Sequence, residues 1–423
     1  MILVEQHILD ESLSKECDNL MWKSKNVYNS ALYYIRQYYF NTDKLLDPVD
    51  CYKILRGSDA YKQLPDKVSK SIIRKAYSNY ESYFGAFKSY KQTPSKFNNR
   101  PEIPGYLDVH EGRFMVIYTL EAINHKNYKK DGSLKLSKTN IMVKPQVDFK
   151  QIKEITITKY NYKYVLNISY DTEPIIIEHT ISEKTGKKVR VKQAKHEFIK
   201  TNKPTKHAAI DLGVNNLCTL TFEHTDKPLI YNGKPLKSIN QRWNKRIAKH
   251  QSYLNKKLKE YTSNKIKKET DKRNRRVKDY LHKISTDLVN QLVSKDVTDL
   301  VIGYNSGWKQ DISLGKVNNQ KFVNIPYLKL IDMLKYKCFL KGITVILTEE
   351  SYTSKCSFID NESLNFHHKY MGERKHRGLF VSKSGFKYNA DVNGSYNILR
   401  KVIPDFKYIK GINALCPRLV NIR

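Results

Sequence analysis

Acidic side chains stand at the ends of apolar runs in three segments of the chain. Asp211 directly follows the apolar run AAI, Glu349 and Glu350 follow the apolar segment 343–347, and Asp391 precedes a predicted helix. Carboxylates removed from water at the ends of buried strands repel one another, so they are poorly placed for stability alone. Two divalent cations relieve that repulsion, activate water and neutralise phosphodiester oxygens during hydrolysis. These positions therefore predict a two-metal site for phosphodiester hydrolysis.

The charge of the chain indicates a polyanionic partner. Lysine and arginine number 76 against 42 aspartate and glutamate, a formal net charge of +34 over 423 residues. Self-repulsion on this scale lowers stability unless a polyanion compensates it. Nucleic acid fits best, because the basic residues are spread through the chain rather than held in one tail or amphipathic anchor.

The sequence also excludes a bilayer-spanning protein. It contains no apolar run of about 18 residues, and the N-terminus carries acids where a secretory signal carries bases. We therefore expect an intracellular protein without a membrane partner.

The densest basic segment is 242–283, inside a helical stretch predicted from about Lys237 to Val297. Few acids stand at helical spacing from its basic residues, so ion pairs along the helix do not balance the excess. A solvated helix face is the alternative to a nucleic-acid interface. We expect a phosphate-facing helix pair, with contacts from Arg242, Lys245, Arg246, Lys249, Arg273, Arg275 and Arg276.

Apolar periodicity divides the chain into regions. Residues from about 11 to 100 carry apolar side chains at helical spacing, and 105–180 contain short β-rich runs that predict a small antiparallel barrel. The basic segment 181–206 is a linker or a long hairpin. From 206 onwards, the order strand–strand–strand–helix–strand–helix–strand–helix predicts an α/β domain with a mixed sheet. The expected fold class is multidomain α+β.

The six cysteines predict neither a disulfide framework nor a zinc site. They lie far apart and no CxxC pair occurs, whereas structural zinc sites take closely spaced ligands. His367, His368 and His376 match no standard zinc spacing. We expect reduced, mainly buried cysteines and no zinc.

Three tracts resemble a known family. HAAIDLGVNNLCTL around Asp211, EESYTSKCS at 349–357 and NADVNGSYNILRK at 389–401 are similar to the TnpB (OrfB-type) proteins of bacterial insertion sequences, relatives of Fanzor and the type V CRISPR effectors. The resemblance implies a transposon-encoded, RNA-guided DNA endonuclease with an RNase H-like (RuvC) nuclease domain. It also implies two Mg²⁺ ions per site, a guide RNA and double-stranded target DNA. Asp211 would be the first nuclease carboxylate and Asp391 the third.

The chain departs from the commonest family pattern in two places. Most relatives carry a glutamate at the end of the fourth strand, where this chain has Gly303 and Tyr304. Some relatives, Fanzor-like ones included, supply the acid just before the YTS tract, so we expect Glu350 as the second carboxylate, with Glu349 as the alternative. Most relatives also carry a four-cysteine zinc ribbon, where Cys356 stands alone here.

Hydroxyl groups beside these acids are further candidates. Tyr352, Thr353 and Ser354 are expected to orient nucleic-acid phosphate beside the metals. Trp308, in the polar loop after the fourth strand, is expected to be a packing anchor.

The resemblance implies a division into domains. The expected parts are the first strand of a β-barrel wedge at 1–10, a helical recognition region at 11–104, the β-barrel wedge with a basic linker at 105–205, the nuclease domain at 206–410 with a cysteine-poor zinc-ribbon insertion at about 353–388, and a C-terminal tail at 411–423.

Two other functions stay open. The missing fourth-strand glutamate and ribbon cysteines favour a nuclease-inactive, RNA-guided DNA-binding protein that represses transcription. An RNase H-like core also suits a transposase or resolvase, although nothing in the chain resembles a strand-transfer partner domain. The expected location is the cytoplasm, at a bacterial nucleoid, or a nucleus or viral setting for a eukaryotic host. The sequence sets no oligomeric state.

Overall fold

The computed structural model describes most of the chain in two compact units, Met1–Glu173 and Pro174–Arg423, called here the N-terminal and C-terminal units. Side chains are described for 1–126, 128–172, 205–223, 227–257, 259–305, 325–376, 378–408 and 417–422, and the backbone alone for 175–181, 188–194 and 258. Trp308 and Cys416 lie outside these residues. No helix within them is long and apolar enough to cross a membrane.

Helices make up the first part of the N-terminal unit. They are α1 Ser14–Thr42, α2 Pro48–Leu55, α3 Asp59–Lys62 and α4 Asp66–Gln92. Buried α1 side chains recur at helical spacing, among them Leu20, Val27, Ala31 and Ile35. The chain leaves α1 at Asp43, whose φ of 53° is the left-handed conformation that ends many helices.

Short antiparallel strands complete this unit. They are β1 Ile2–Ile8, β2 Val116–Thr119, β3 Ile123–Asn124, β4 Leu134–Leu136, β5 Met142–Val143, β6 Ile152–Tyr160 and β7 Lys163–Asp171, with a short helix α5 at Tyr128–Asp131. One sheet has the order β1-β7-β6-β2, and a second has the order β3-β4-β5. The described strands therefore form two open sheets, and the predicted closed barrel is not seen among them.

One predicted strand is divided in two. The run LKLSKTNIMV at 134–143 is predicted as one strand, but the chain turns at Lys138, which has a φ of 58°. The hydroxyl of Thr139 donates to the Leu136 carbonyl at 2.8 Å and accepts from the Ile141 amide at 3.1 Å. These side-chain bonds close a tight turn between β4 and β5, because threonine competes with strand pairing for backbone groups.

The C-terminal unit is built on a mixed six-stranded sheet. A hairpin of β8 Ile175–Ile181 and β9 Lys188–Ala194 precedes it, so part of the predicted linker or hairpin segment is a hairpin. The sheet contains β10 His207–Leu212, β11 Asn216–Phe222, β12 Leu229–Asn232, β13 Asp299–Gly303 and β14 Thr344–Thr348. Its order is β14-β13-β10-β11-β12, followed at the edge by a strand at Arg418–Val420.

The edge strand at Arg418–Val420 lies in the segment predicted as a C-terminal tail. It pairs in parallel with β12. In the centre of the sheet, β10 pairs in parallel with β13 and antiparallel with β11, while β13 pairs in parallel with β14. The mixed α/β sheet predicted from the order of elements is therefore present.

Helices cover both faces of this sheet. They are α6 Lys234–Leu258, α7 Asn264–Ser294, α8 Tyr327–Leu340 and α9 Ala390–Val402. Alternate strand residues enter two different cores, because successive side chains point to opposite faces of a strand. Ala208 and Ile210 pack in the core with α7 and α8, whereas Ala209 and Val301 pack in the core with α9.

A small three-stranded sheet stands where relatives carry the zinc ribbon. Its strands are β15 Glu373–His376, β16 Leu379–Val381 and β17 Lys387–Asn389, and Arg418–Val420 follows as β18. The Cys356 thiol is buried and lies 3.3 Å from the Ser363 carbonyl. Burial raises the pKa of this thiol to about 11. Phe358, Phe380 and Tyr388 of this segment are buried in the α9 core.

Candidate active site

Asp211 faces helix α9 because of its position in strand β10. It alternates with the core residues Ile210 and Leu212, so its side chain lies on the same face as Ala209. Gly394 of α9 approaches it so closely that an added Cβ would lie 2.9 Å from Asp211 Oδ2. Because Gly394 has no side chain, there is space for the Asp211 carboxylate beside α9.

Asp391 lies in the first turn of α9, one residue further into the helix than the sequence predicted. Asn389 caps the helix, its side-chain oxygen accepting from the Asp391 amide at 2.9 Å. The Asp391 oxygens are each in contact with a donor: Asn216 Nδ2 lies 2.6 Å from Oδ2, and an Arg374 guanidinium nitrogen lies 3.3 Å from Oδ1. The carboxylate is therefore held in place by two other elements, β11 and β15.

Glu350 follows β14 and reaches the end of the neighbouring strand β13. Gly303 ends β13, and a Cβ added to it would lie 2.6 Å from Glu350 Oε1 and 2.5 Å from Ile398 Cδ1. The Glu350 amide donates to Asn305 Oδ1 at 2.9 Å. Within the described residues, Glu350 Oε1 is buried and has no hydrogen-bond partner.

The three carboxylates influence one another electrostatically. Removal from water, followed by the charges of Asp391 and Glu350, raises the pKa of Asp211 well above its usual value, while the Arg374 guanidinium opposes the rise. Burial, followed by the charge of Glu349, raises the pKa of Glu350 to about 7. The region is thus an acidic pocket in which full ionisation is costly without added positive charge.

Glu349 has a different environment. It is exposed and forms an ion pair with Lys401 of α9. That hydrogen bond, together with hydrogen bonds from Ser351, lowers the pKa of Glu349 to about 2. Of the two adjacent glutamates, Glu350 is therefore the one enclosed near Gly303, and Glu349 is neutralised by a lysine.

Mg²⁺ prefers oxygen ligands, and the carboxylates of Asp211, Glu350 and Asp391 meet some of its requirements but not all. A buried carboxylate oxygen without a partner at Glu350 and the repulsion around Asp211 are features that a divalent cation would relieve. Among the described residues, however, no three His, Cys, Asp or Glu side chains are grouped closely enough to hold one ion. Sharing an ion would require side-chain movement, starting with the Arg374–Asp391 contact.

The predicted nucleic-acid contacts fall into different environments. On α6 and α7, the exposed ones are Arg242, Lys245, Arg246, Lys249, Arg275 and Arg276. Arg273 is partly buried, donates to Asn240 Oδ1 at 2.7 Å and lies 5.2 Å from the Trp243 ring. Its position between the two helices indicates a packing role.

The residues of the YTS tract also differ in their exposure to solvent. Thr353 is buried and its hydroxyl donates to the Glu350 carbonyl at 2.8 Å, so it supports the loop rather than facing solvent. Tyr352 and Ser354 are exposed. Tyr352 has a φ of 64°, a left-handed conformation that is uncommon for a residue with a side chain.

Three polar residues of the pocket were missed from sequence: Asn216, Asn305 and Arg374. Asn216 lies five residues after Asp211, within the tract that carries the family resemblance, so its position was a usable signal. Arg374 comes from a strand of the small sheet, 17 residues before Asp391. No spacing rule predicts that contact, because it depends on how β15 folds back.

Comparison with known proteins places the pocket within two matched segments. Residues 180–309 match a family described as a probable transposase (OrfB_IS605), and residues 327–398 match the Cas12f1-like TNB domain. The first segment contains Asp211, and the second contains Glu350 and Asp391. These two segments of the chain are therefore similar to TnpB-type transposase proteins and to Cas12f1-like proteins.

A curated relative agrees with this family. The TnpB-like protein ORF457 of Acidianus two-tailed virus is 26% identical over 232 residues, which cover 52% of this chain and 48% of that protein. The match thus spans about half the length of the relative.

Two solved structures align along most of the chain. The Cas12f1–sgRNA–target DNA complex matches with 15% identity and a TM-score of 0.36, covering 94% of this chain and 98% of that one. The CRISPR–Cas12f ternary complex matches with 15% identity and a TM-score of 0.37, covering 95% and 83%. Superpositions of this quality establish no shared fold, so the similarity to TnpB-type proteins rests on the sequence matches.

The space shared by Gly303 and Glu350 generates a stability prediction. Gly303→Ala should lower the free energy of unfolding by about 1–3 kcal/mol, because the new methyl group overlaps Glu350 and Ile398. Urea denaturation measures the change. Gly57→Ala is the matched control, since an added Cβ there meets no atom within 4 Å. Equal stability of the two variants would contradict the close approach of Glu350 to β13.

The raised pKa of Glu350 generates a pH prediction. Between about pH 4.3, the ordinary glutamate value, and about 7, the folded protein keeps a proton that the unfolded chain has lost. The free energy of unfolding therefore falls as the pH rises through this window, by at most about 4 kcal/mol for this group. In EDTA, Glu350→Gln should become progressively more stable relative to wild type across the window.

Urea denaturation at several pH values, followed by circular dichroism, checks this result. Glu349→Gln serves as the control. Because the pKa of Glu349 is lowered to about 2, the stability it contributes is lost only as the pH falls from about 4.3 toward that value. A flat difference between Glu350→Gln and wild type would show that Glu350 is not protonated in the folded protein.

Proposed function

We propose that the chain is a transposon-encoded, RNA-guided DNA endonuclease that hydrolyses phosphodiester bonds by a two-metal mechanism. The observation that carries this proposal is the convergence of three carboxylates from the ends of β10 and β14 and the start of α9. Burial, and then the charges of Asp391 and Glu350, raise the pKa of Asp211 there. Residues 211 and 391 are far apart in sequence, so the fold brings them together. The TnpB-type family supports nucleic-acid hydrolysis as the chemistry of such a pocket.

Asp211, Glu350 and Asp391 would hold the Mg²⁺ ions. When bound, the ions lower the pKa of water and neutralise charge on the reacting phosphate oxygens. The chain itself contributes orientation: Asn216 fixes one Asp391 oxygen, Asn305 fixes the backbone of Glu350, and the Glu349–Lys401 ion pair secures the neighbouring residue. Tyr352 and Ser354, both exposed, would position phosphate beside these acids.

The remaining parts would hold the nucleic acids. A guide RNA would select the double-stranded target by base pairing, and the protein would hold the heteroduplex by its backbone. The N-terminal unit would act as the helical recognition region and the wedge. The exposed cations of α6 and α7 would contact phosphates, since the cleft between these helices is lined by Arg242, Arg246, Lys272 and Arg276.

Guided DNA binding without cleavage is the second candidate function. It is favoured by the absence, within the described residues, of three ligand side chains grouped for one ion. Such a protein would repress transcription by occupying its target. A cleavage assay separates the two candidates.

The proposed chemistry predicts the effect of removing single carboxylates. On guide-matched DNA with Mg²⁺, Asp211→Ala, Glu350→Ala and Asp391→Ala should each lower the cleavage rate about 10³-fold or more, because the three act as one unit. Glu349→Ala should retain most activity, since Glu349 pairs with Lys401 outside the pocket. Gel analysis of labelled DNA measures the rates.

Binding of the same DNA separates the possible results. Wild-type protein that binds guide-matched DNA but does not cut it would replace the endonuclease with the binding-only function. Loss of cutting in Glu349→Ala alone would move the second carboxylate by one residue. Purified protein that cuts without any copurified RNA would exclude guidance.

The helix pair predicts a change in salt dependence. Each phosphate contact on duplex DNA contributes about 0.9 to the slope of log affinity against log salt. The double variant Arg242→Ala/Arg276→Ala should therefore reduce the slope by about 1.8, measured by fluorescence anisotropy with a labelled duplex. Lys329→Ala/Lys335→Ala on α8 removes the same charge from exposed positions and is the control. Equal slopes for the two double variants would place the nucleic acid elsewhere.

A further inference from the structure

A groove of about 680 Å³ lies beside the start of α1, within the N-terminal unit. Residues of α1 form one side, and Arg113, Lys159 and Tyr164 form the other. Its lining residues are Ser14, Lys15, Asp18, Asn19, Trp22, Arg113, Lys159 and Tyr164. None of these residues belongs to the carboxylate pocket or to the basic helix pair.

Asp18 organises the polar side of the groove. It accepts from Arg113 Nε at 3.0 Å and Nη2 at 2.7 Å, and from the Tyr164 hydroxyl at 2.6 Å. Lys159 Nζ lies 3.4 Å from the same carboxylate. The Arg113 hydrogen bond is the main reason that the pKa of Asp18 falls to about 2, so Asp18 stays an anion at neutral pH. These contacts hold two cations at fixed positions before any ligand arrives.

The groove keeps a positive charge after Asp18 is counted. Arg113, Lys159 and Lys15 supply three positive charges against one negative charge, and Lys15 and Lys159 are exposed. A fixed cationic wall with exposed lysines favours a phosphate group over a neutral ligand.

Trp22 supplies an aromatic surface at the same groove. Its side chain is 36% exposed, although tryptophan is among the most apolar residues to leave in water. Lys25 Nζ lies 5.1 Å from the centre of the Trp22 ring and donates to the Val109 carbonyl at 2.5 Å. Because that lysine is anchored, the indole has a fixed neighbour and a defined place in the groove.

We propose that this groove binds one unpaired nucleotide, with its base stacked on Trp22 and its phosphate held by Lys15 and Lys159. An aromatic plane beside fixed cations matches the two chemical parts of a nucleotide. The inference rests on the proposed function, because a guide RNA or a target DNA strand is what would supply the nucleotide. It adds a defined contact in the N-terminal unit that does not depend on cleavage.

Photochemical cross-linking of the full chain tests the site directly. Single-stranded RNA and DNA oligonucleotides that carry 5-iodouracil are bound separately, irradiated and digested with trypsin. Cleavage after Lys15 and Lys23 releases residues 16–23, which contain Trp22. A cross-link on this peptide supports the groove, and the arm in which it forms identifies RNA, DNA or both as the source. Cross-links confined to other peptides in both arms would overturn the proposal.

Variants measure the two halves of the site. Trp22→Leu should weaken single-strand binding roughly tenfold or more, as expected for loss of one stacked base. Lys15→Ala/Lys159→Ala should reduce the salt slope by about 0.7, since one phosphate contact on a single strand is lost. The controls are Tyr38→Leu, an exposed aromatic of α1 outside the groove, and Lys62→Ala/Lys75→Ala, which removes equal charge from this unit.

Thermal melts of every variant test whether a loss of binding comes from unfolding. The cross-linking experiment uses wild-type protein, so its result does not depend on how any variant folds. Effects equal to those of the controls would overturn the groove. The proposed nuclease function fails independently: Asp211→Ala that cuts like wild type would refute the active site while leaving the cross-link at 16–23 as evidence for the nucleotide site.

Discussion

Repulsion among carboxylates in a poorly hydrated pocket is the constraint on which the C-terminal unit depends. Asp211 is the most affected acid, since burial and then the charges of Asp391 and Glu350 disfavour its ionised form. A pKa shift of one unit corresponds to about 1.4 kcal/mol, so the rise of the Glu350 pKa to about 7 is a substantial fraction of typical folding stability. Donors lie beside the other two acids: Asn216 and Arg374 donate to Asp391, and Asn305 Nδ2 lies 3.5 Å from Glu350 Oε2. A protein without a use for the pocket would gain stability by losing one acid.

Helix α9 makes this crowding tolerable because it contacts the sheet at very short range. Gly394 gives room to Asp211, and the Ser395 hydroxyl lies 3.0 Å from the carbonyl oxygens of both Ala209 and Thr219. On the other side of the helix, Asn397 donates to the Thr353 and Cys356 carbonyls at 2.9 and 2.7 Å. These buried hydrogen bonds fix the helix against β10 and against the loop after β14. The carboxylates therefore approach one another through backbone placement rather than through long, mobile side chains.

The mixed sheet could be predicted from the sequence because it depends on local patterns. The acids were chosen from the same patterns, and their role as metal ligands stays a prediction. Apolar runs ended by acids predict strand ends, and the strand and helix order predicts a mixed sheet, as observed for β10 to β14. Contacts from distant, short elements could not be predicted. Arg374 reaches Asp391 only through the fold of β15, and the edge strand β18 is three residues long, too short for periodicity to reveal. A closed barrel forms only if separate hairpins pair with one another. Alternation of apolar and polar residues predicts single strands but does not specify which hairpins pair.

Glu350, which follows β14, lies beside Gly303 at the end of β13 because these two strands pair. Gly303 and Thr348 are opposite residues of the parallel pair β13–β14, and neighbouring strands lie about 4.8 Å apart. Glu350, two residues beyond Thr348, fills the space that a side chain at 303 would occupy, since an added Cβ would lie 2.6 Å from its Oε1. A side chain at position 303 and the Glu350 side chain would therefore occupy the same space. A glutamate at position 350 fits best when position 303 has no side chain. A glycine at the end of β13 is consequently the partner that Glu350 needs, and it gives no evidence by itself that the pocket has lost its chemistry.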